Sequence, residues 1–343
     1  MLAGHGGLRY ACLVRGCGQA KILRRLFSTG GLPHGDALRH PPAVPDRPLR
    51  SIKLGRRARQ FFQLIANYRE HLAYRRELQA ARRVGVADAD RLTAIKYTGD
   101  YLSASLSLRA RRDSLKFHYR FLTRAMTSAA GAAVWQRGAA IWARDAEGER
   151  LEVTLSRSTL APMEGESQLS FLMGNRALCT LTFSFVHGRD LQLPCDEAIF
   201  IGGLQGGLDC RQEIRRAAKI NGEVSPAAML LLAAEALANI LDVEHMVGVS
   251  TQEQAAAVYS QEKIVLSYDR LWQELGAHHA RTGFYVKAIA VTEEADKAIT
   301  GSHHSRTRRR RVLKKNIRRE IEERIAALFG MEAPPAPAAG QSS

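Results

Sequence analysis

Eleven residues, Ala198-Ile-Phe-Ile-Gly-Gly-Leu-Gln-Gly-Gly-Leu208, restrict the fold of this chain more than any other stretch. The first four are apolar and β-prone, and they predict a buried strand from Ala198 to Ile201. Gly202, Gly203, Gly206 and Gly207 follow and predict a tight turn where the backbone comes close to whatever packs on it. Helices are predicted from about Arg211 to Lys219 and from Ala227 to Leu241, and a second strand from His245 to Ser250. Such a block brings the free N–H groups of a helix start to a glycine-lined bend, a geometry that favours a phosphate. Gly202, Gly203, Gln205, Gly206 and Gly207 are therefore the expected cofactor-binding residues. The plainer alternative is a bend or bulge that needs glycine only for backbone freedom.

Upstream, Ile141 to Arg144, Leu151 to Ser156, Gln168 to Met173 and Ala177 to His187 predict strands, separated by Glu147-Gly148 and Gly174-Asn175 turns. Short connections first and a helical crossover later describe an α+β protein with a mixed, largely antiparallel sheet. Before it, Phe61, Ile65, Tyr68 and Leu72 recur at helical spacing among many arginines, and Leu115 to Met126 predicts a further helix. A short helix from Asp269, a strand from Phe284 to Ile289 and a helix from about 306 to 329 complete the pattern, with Gly330 at its stop. The expected organisation is a disordered leader (1–48), a helical region (49–130), an α/β acyltransferase-like domain (131–330) and a disordered tail (331–343).

Four motifs stand in order along the chain: His118-Tyr-Arg-Phe-Leu122, Phe183-Ser-Phe185, Ile201-Gly-Gly-Leu-Gln-Gly206, and Tyr268-Asp-Arg-Leu-Trp272 with Gly276. On these motifs the chain resembles the bacterial VirK/YbjX family over roughly residues 50 to 325. The resemblance implies a role in envelope or stress physiology, including virulence and resistance to antimicrobial peptides, without a defined biochemical activity. A sheet opening at a glycine-rich turn also resembles the N-acetyltransferase-like (GNAT) architecture. That second resemblance implies coenzyme A or acyl-coenzyme A, held through its pyrophosphate at a Gln/Arg-x-x-Gly-x-Gly/Ala turn. Counted from Gln205, the small-residue positions of that turn fall on Leu208 and Cys210.

An acyl transfer to an amine needs a base, and Asp196 and Glu197, just before the glycine-bearing strand, are the catalytic candidates. Asp209 is expected to cap the helix that follows and Glu213 to complement its dipole. Glu235, Asn239 and Asp242 share a helix face that reads as solvated. His187 and Cys195 show no nucleophile signature, and the adjacent pairs His278-His279 and His303-His304 lack metal-ligand spacing, so no metal is expected. Trp272 and Leu275 are expected to pack inward behind a helix capped by Asp269.

Fifty Lys and Arg against 34 Asp and Glu give a formal net charge of +16, which calls for an acidic partner. The terminal helix concentrates it: Arg308, Arg309, Arg310 and Arg311 precede the seam Leu313, Ile317, Ile321 and Ile325. The seam predicts docking onto the sheet, and the arginines are the expected anionic-surface residues. No apolar run approaches the ~20 residues of a membrane span, and five cysteines without C-x-x-C spacing fit a reducing compartment. The expected location is cytoplasmic, with peripheral contact at the inner membrane. Three functions stay open: an acyl-coenzyme A-dependent acyltransferase, a non-enzymatic factor on an anionic membrane, and, ranked last for lack of any nucleic-acid signature, a nucleic-acid binder.

Overall fold

The computed structural model describes residues 49–87, 91–255, 268–289 and 304–332. The expected leader, and the expected tail apart from Met331 and Glu332, lie outside the described residues, as do Cys12, Cys17 and His303. The chain divides into two units, Met1–Leu54 and Gly55–Ser343, and the architecture below, from Gly55 of the first helix onward, is that of the second.

The chain enters through helices α1 (Leu49–Ala66), α2 (Tyr68–Arg83), the short α3 (Arg91–Ile95), α4 (Leu108–Ala125) and the short α5 (Ser128–Ala132). Ser107 starts α4 because its hydroxyl accepts the Ala110 N–H at 3.1 Å. The buried face of α4 carries Leu115, His118, Tyr119, Phe121 and Leu122, and it packs on strand β4 (Arg176–His187). The helical region and the sheet therefore share one hydrophobic core.

The sheet contains β1 (Ala139–Ala146), β2 (Glu149–Arg157), β3 (Ser167–Met173), β4, β5 (Glu197–Gly206), β6 (His245–Val249), β7 (His278–His279) and β8 (Phe284–Ala288). Their order is β1-β2-β3-β4-β5-β6-β8-β7. β1 to β5 are antiparallel neighbours in sequence, as their short connections dictate. Glu147 and Gly148 both hold positive φ (50° and 76°), which a two-residue hairpin turn requires. β5 and β6 are parallel, joined through helices α6 (Arg211–Ile220) and α7 (Pro226–Ile240), and β6 and β8 are antiparallel again. The α+β class with a mixed, largely antiparallel sheet is thus the observed one.

Two expectations change here. The strand predicted to end at Ile201 continues to Gly206, so Gly202, Gly203 and Gly206 lie within β5 rather than in a turn after it. A strand tolerates glycine where a neighbour lies too close for a side chain, which is the case below. The face of Glu235 and Asn239 is not left to solvent either. Glu235 pairs with Lys287 of β8, and Asn239 donates to Glu322 at 2.9 Å.

Glu322 belongs to the last helix, α9 (His304–Phe329). It docks on α7 and β1 through buried Ile317, Ile321, Ile325 and Phe329, which realises the predicted seam, and Gly330 (φ 69°) follows its end. Glu320 accepts the Trp142 indole N–H at 2.8 Å and ties the helix to β1. Arg308 to Arg311 are exposed. Among the described residues, no helix is long and apolar enough to cross a membrane.

Candidate functional site: two glutamates at the opening of the sheet

The parallel ladder between β5 and β6 runs only from Ala198 opposite His245 to Ile201 opposite Gly248. Beyond it β5 continues without β6, so the sheet opens at the carboxyl ends of its parallel pair, the place where open sheets most often take ligands.

On its other side β5 pairs with β4, and that register slips by one residue. Thr182 faces Gly203 and Phe183 faces Ile201, which leaves Gly202 as the extra residue of a bulge. The β2–β3 connection crosses the sheet here. The Glu166 N–H donates to the Phe183 carbonyl (3.1 Å) and to the Ser184 hydroxyl (3.0 Å). A Cβ on Gly202 would lie 2.0 Å from the Glu164 carbonyl oxygen, and one on Gly203 1.8 Å from Glu164 Oε2. These two glycines exist for the protein's own Glu164. The expectation that they cradle a phosphate is corrected accordingly, because the space over them is already taken.

Glu164 is 3% exposed, and its carboxylate accepts from Gln205 Nε2 at 2.9 and 3.1 Å. Burial disfavours the ionised form and pushes its pKa up to about 7, against the smaller opposing effect of the Gln205 hydrogen bond. A pKa raised to about 7 is what a general base or acid working at neutral pH requires.

Two residues on, Glu166 is also buried and meets different company. Burial alone would raise its pKa, yet the Lys96 ammonium, His118, and hydrogen bonds from Lys96 and the Tyr119 hydroxyl hold it below the ordinary value. Hydrogen bonds extend the shell: Tyr101 shares a 2.8 Å hydrogen bond with Ser184, which itself receives the Glu166 N–H. His118 Nδ1 accepts the Phe185 N–H at 3.0 Å, so its proton sits on Nε2, and burial lowers its pKa to about 4. Its Nε2 is buried with no hydrogen-bond partner among the described residues.

The open end of the sheet is capped by the Tyr268-Asp-Arg-Leu-Trp272 motif on helix α8 (Tyr268–Glu274). The Tyr268 hydroxyl accepts the Leu204 N–H at 2.6 Å and donates to the Leu204 carbonyl at 3.0 Å, replacing the strand partner that β6 no longer supplies. The Trp272 indole lies where a Cβ on Gly248 would sit, 1.8 Å away, and donates to the Val249 carbonyl at 3.0 Å. Trp272 packs inward as predicted. The start of α8, however, is capped by Thr251, whose hydroxyl accepts the Tyr268 N–H at 3.1 Å, and not by Asp269.

The other predicted residues fall as follows. Asp196 is exposed and Glu197 half-buried at the amino end of β5, a strand's length from the opening; Arg124 approaches Glu197 at 3.8 Å. They do not join Gly206 and Gly207. Gly206 is exposed at the strand's end, while a Cβ on Gly207 would meet the Ala177 carbonyl and Cys210 Sγ, both at 2.8 Å. Asp209 does not cap α6: it holds φ 55°, and the cap position belongs to Cys210, whose thiol donates back to the Leu208 carbonyl at 3.3 Å and does not cap the helix. Glu213 lies in the first turn, paired with Arg176, which also donates to the Leu208 carbonyl at 3.3 Å. His187 Nδ1 accepts the Arg189 N–H at 3.2 Å. Burial, ahead of nearby Asp196, raises the Cys195 thiol's pKa. Among the described residues no three His, Cys, Asp or Glu side chains gather to hold a metal ion. A separate cavity of about 370 Å³ is lined, among the described residues, by Arg75, Arg76, Arg82 and Gln79 over Leu72 and Leu78.

Sequence reasoning missed Glu164, Glu166 and Lys96. The only signal was the Glu164-Gly-Glu166 triplet between two strand patterns, and nothing in it says which strand the loop crosses. Comparison with curated proteins and with solved structures finds no match. Residues 50–323, most of the chain, match the family described as protein of unknown function (DUF535), and the chain belongs to that family.

Proposed function

We propose that the chain is an acyltransferase-like enzyme working at the open end of the β5–β6 pair, with Glu164 as its general base and acyl-coenzyme A as donor. The observation that carries this reading is the buried Glu164 carboxyl, its pKa raised to about 7, beside the point where β5 runs on beyond its parallel pairing with β6. The strand order supports it, since a single parallel pair inside an antiparallel sheet, bridged by helices, is what the GNAT resemblance leads one to expect.

Fit of the donor is tested by the space present. Gly202 and Gly203 are filled, so a pyrophosphate is confined to the outer rim, at exposed Gly206 and Leu208 beside Arg176. The pantetheine arm is left the edge of β5 at Leu204, once the Tyr268 hydroxyl leaves it. Bound acyl-coenzyme A would supply the activated acyl group. As the acceptor amine forms its C–N bond and the thioester C–S bond breaks, Glu164 takes the proton the amine sheds. It returns that proton to the departing coenzyme A thiolate, while Gln205 holds the carboxylate in place. The exposed Asp196 and Glu197 are too far along β5 to share that task.

The biological setting in this reading follows the resemblance to VirK/YbjX proteins: a cytoplasmic protein of envelope or stress physiology, concerned with virulence and antimicrobial-peptide resistance and placed peripherally at the inner membrane. A thermal-shift titration with coenzyme A and acyl-coenzyme A, together with thiol release from acyl-coenzyme A in the presence of amines, tests the chemistry. Stabilisation of wild type and of Glu164→Gln alike, with thiol release lost only in the variant, is the expected result. Absence of any stabilisation at millimolar ligand overturns the reading.

A further inference from the structure

Nine large hydrophobic side chains are exposed among the described residues, and Phe61, Phe62, Ile65 and Tyr68 are four of them within eight positions. They are between 57 and 68% exposed. Isolated exposed apolar residues need no explanation, but two phenylalanines, an isoleucine and a tyrosine side by side do. They line the last two turns of α1 and the first residue of α2.

The joint between these helices is well held. Asn67 N–H donates to the Gln63 carbonyl (3.1 Å), and the His71 N–H to the Asn67 carbonyl (2.9 Å), so the helical path continues with little break. Arg112 on α4 donates to Asn67 Oδ1 at 3.3 Å. From Tyr74 onward the helix is docked through Tyr74, Leu78 and Ala81. Before that anchor, the aromatic face is exposed among the described residues.

Charge decides what covers it. From Gly55 to Arg69 the chain carries Arg56, Arg57, Arg59 and Arg69 and no acid; the first acid is Glu70. A second copy of this chain is disfavoured, because a two-fold interface sets the same patch against itself and would bring arginines against arginines. Residues 1–48 are no better a complement, with seven Lys and Arg against two Asp. A basic helix with an aromatic apolar face matches an anionic lipid surface, where rings enter the headgroup boundary and guanidinium groups meet phosphates.

We infer that Phe61, Phe62, Ile65 and Tyr68 form an interfacial anchor by which the protein lies on anionic lipid bilayers. This surface is distinct from Arg308 to Arg311 on α9, whose helix spends its apolar seam on the protein's own core. It stands independently of the catalytic proposal.

Flotation of the full-length protein with vesicles tests it. Wild type is expected to bind phosphatidylglycerol-containing vesicles and to bind pure phosphatidylcholine vesicles much less. Replacing Phe61, Phe62 and Ile65 together by Ser should lower partitioning by about tenfold or more, since each exposed side chain contributes apolar transfer. Ile65→Leu, which keeps the bulk, should bind as wild type does. Neutralising Arg308 to Arg311 with Gln removes four positive charges but leaves the anchor, so it must cost less than the triple-serine variant. The inference is overturned if wild type does not bind anionic vesicles, if the triple variant binds as wild type does, or if the arginine variant loses more. It is equally overturned if sedimentation shows a wild-type dimer that the triple variant dissolves, because the face is then an interface between copies.

Discussion

Glu164 and Glu166 stand two residues apart on one segment, both buried, and their surroundings have opposite chemistry. Around Glu166 the protein supplies a cation, a phenol and backbone order, so the carboxylate stays ionised below its ordinary range. Around Glu164 it supplies one amide and the bare backbone of Gly202 and Gly203, so burial prevails and the pKa climbs to about 7. One carboxylate is fully partnered, and the other has a single amide donor among the described residues. Completeness suits a structural role, whereas a buried acid with no cation beside it among the described residues is the one to which the proposal assigns the chemistry.

The sharpest way to break this contrast is to neutralise each acid in turn. Glu166→Gln leaves the Lys96 ammonium buried without its partner, and it should cost about 3–5 kcal/mol in urea unfolding. Glu164→Gln removes a charge that the fold holds at a disadvantage, so at neutral pH it should cost far less. Equal losses would show that both acids are structural and would remove the reason for placing chemistry at Glu164.

That contrast was invisible in the sequence, although much of the frame was not. Strand patterns in 139–187, the helix at Arg211, the strand at His245 and the seam of α9 were legible because local periodicity and turn residues determine them. Glycines at 202 and 203 announced a close approach correctly but could not name what approaches. The partner is Glu164, brought against β5 by the β2–β3 connection at the bulge of Gly202. Lys96 reaches Glu166 across 70 positions, and Tyr268 reaches Leu204 across 64, and no spacing rule spans such intervals. The parallel pairing of β5 and β6, which creates the opening, likewise follows from the crossover and not from any residue in it.

The same two acids should give pH dependences of opposite sign. Glu164 has a folded pKa above the unfolded value, so between about pH 4.5 and 7 the native state binds more protons than the unfolded one. Stability therefore falls as pH rises through that window, by roughly 3 kcal/mol if the whole shift is felt. Glu166 has a depressed folded pKa; its contribution is present above the ordinary carboxylate range and lost as pH falls through it. Unfolding free energies of wild type and Glu164→Gln at about pH 5 and about pH 8 isolate the first effect. The difference between the proteins should change across the interval, and a constant difference would mean that Glu164 titrates normally.

Gly202 and Gly203 allow a finer cut. A methyl at 202 strikes the Glu164 backbone, which cannot move without dragging the loop off β4, and should cost about 1–3 kcal/mol. At 203 the obstacle is the carboxylate end of a side chain, which can swing away. Gly203→Ala should therefore be the milder change in stability, yet it should abolish the pH slope between about 4.5 and 7 by moving Glu164 into water. If Gly203→Ala keeps the slope, the carboxyl is not where its titration is decided.

The smallest expected effect separates a plug from a wall. Tyr268 is buried, but its hydroxyl does work that strand β6 performs elsewhere along β5, bonding both backbone groups of Leu204. Tyr268→Phe removes that oxygen, keeps the ring, and leaves the two groups unpaired, which should cost roughly 1–2 kcal/mol in the free protein. If the hydroxyl only holds a place that a ligand's amides later take, the ligand-bound proteins should be nearly equal in stability. The variant should then gain more from acyl-coenzyme A than wild type does, because its ligand displaces nothing. Should the variant lose ligand stabilisation instead, the hydroxyl is part of the binding wall, and the open end of the sheet is narrower than the strand register alone implies.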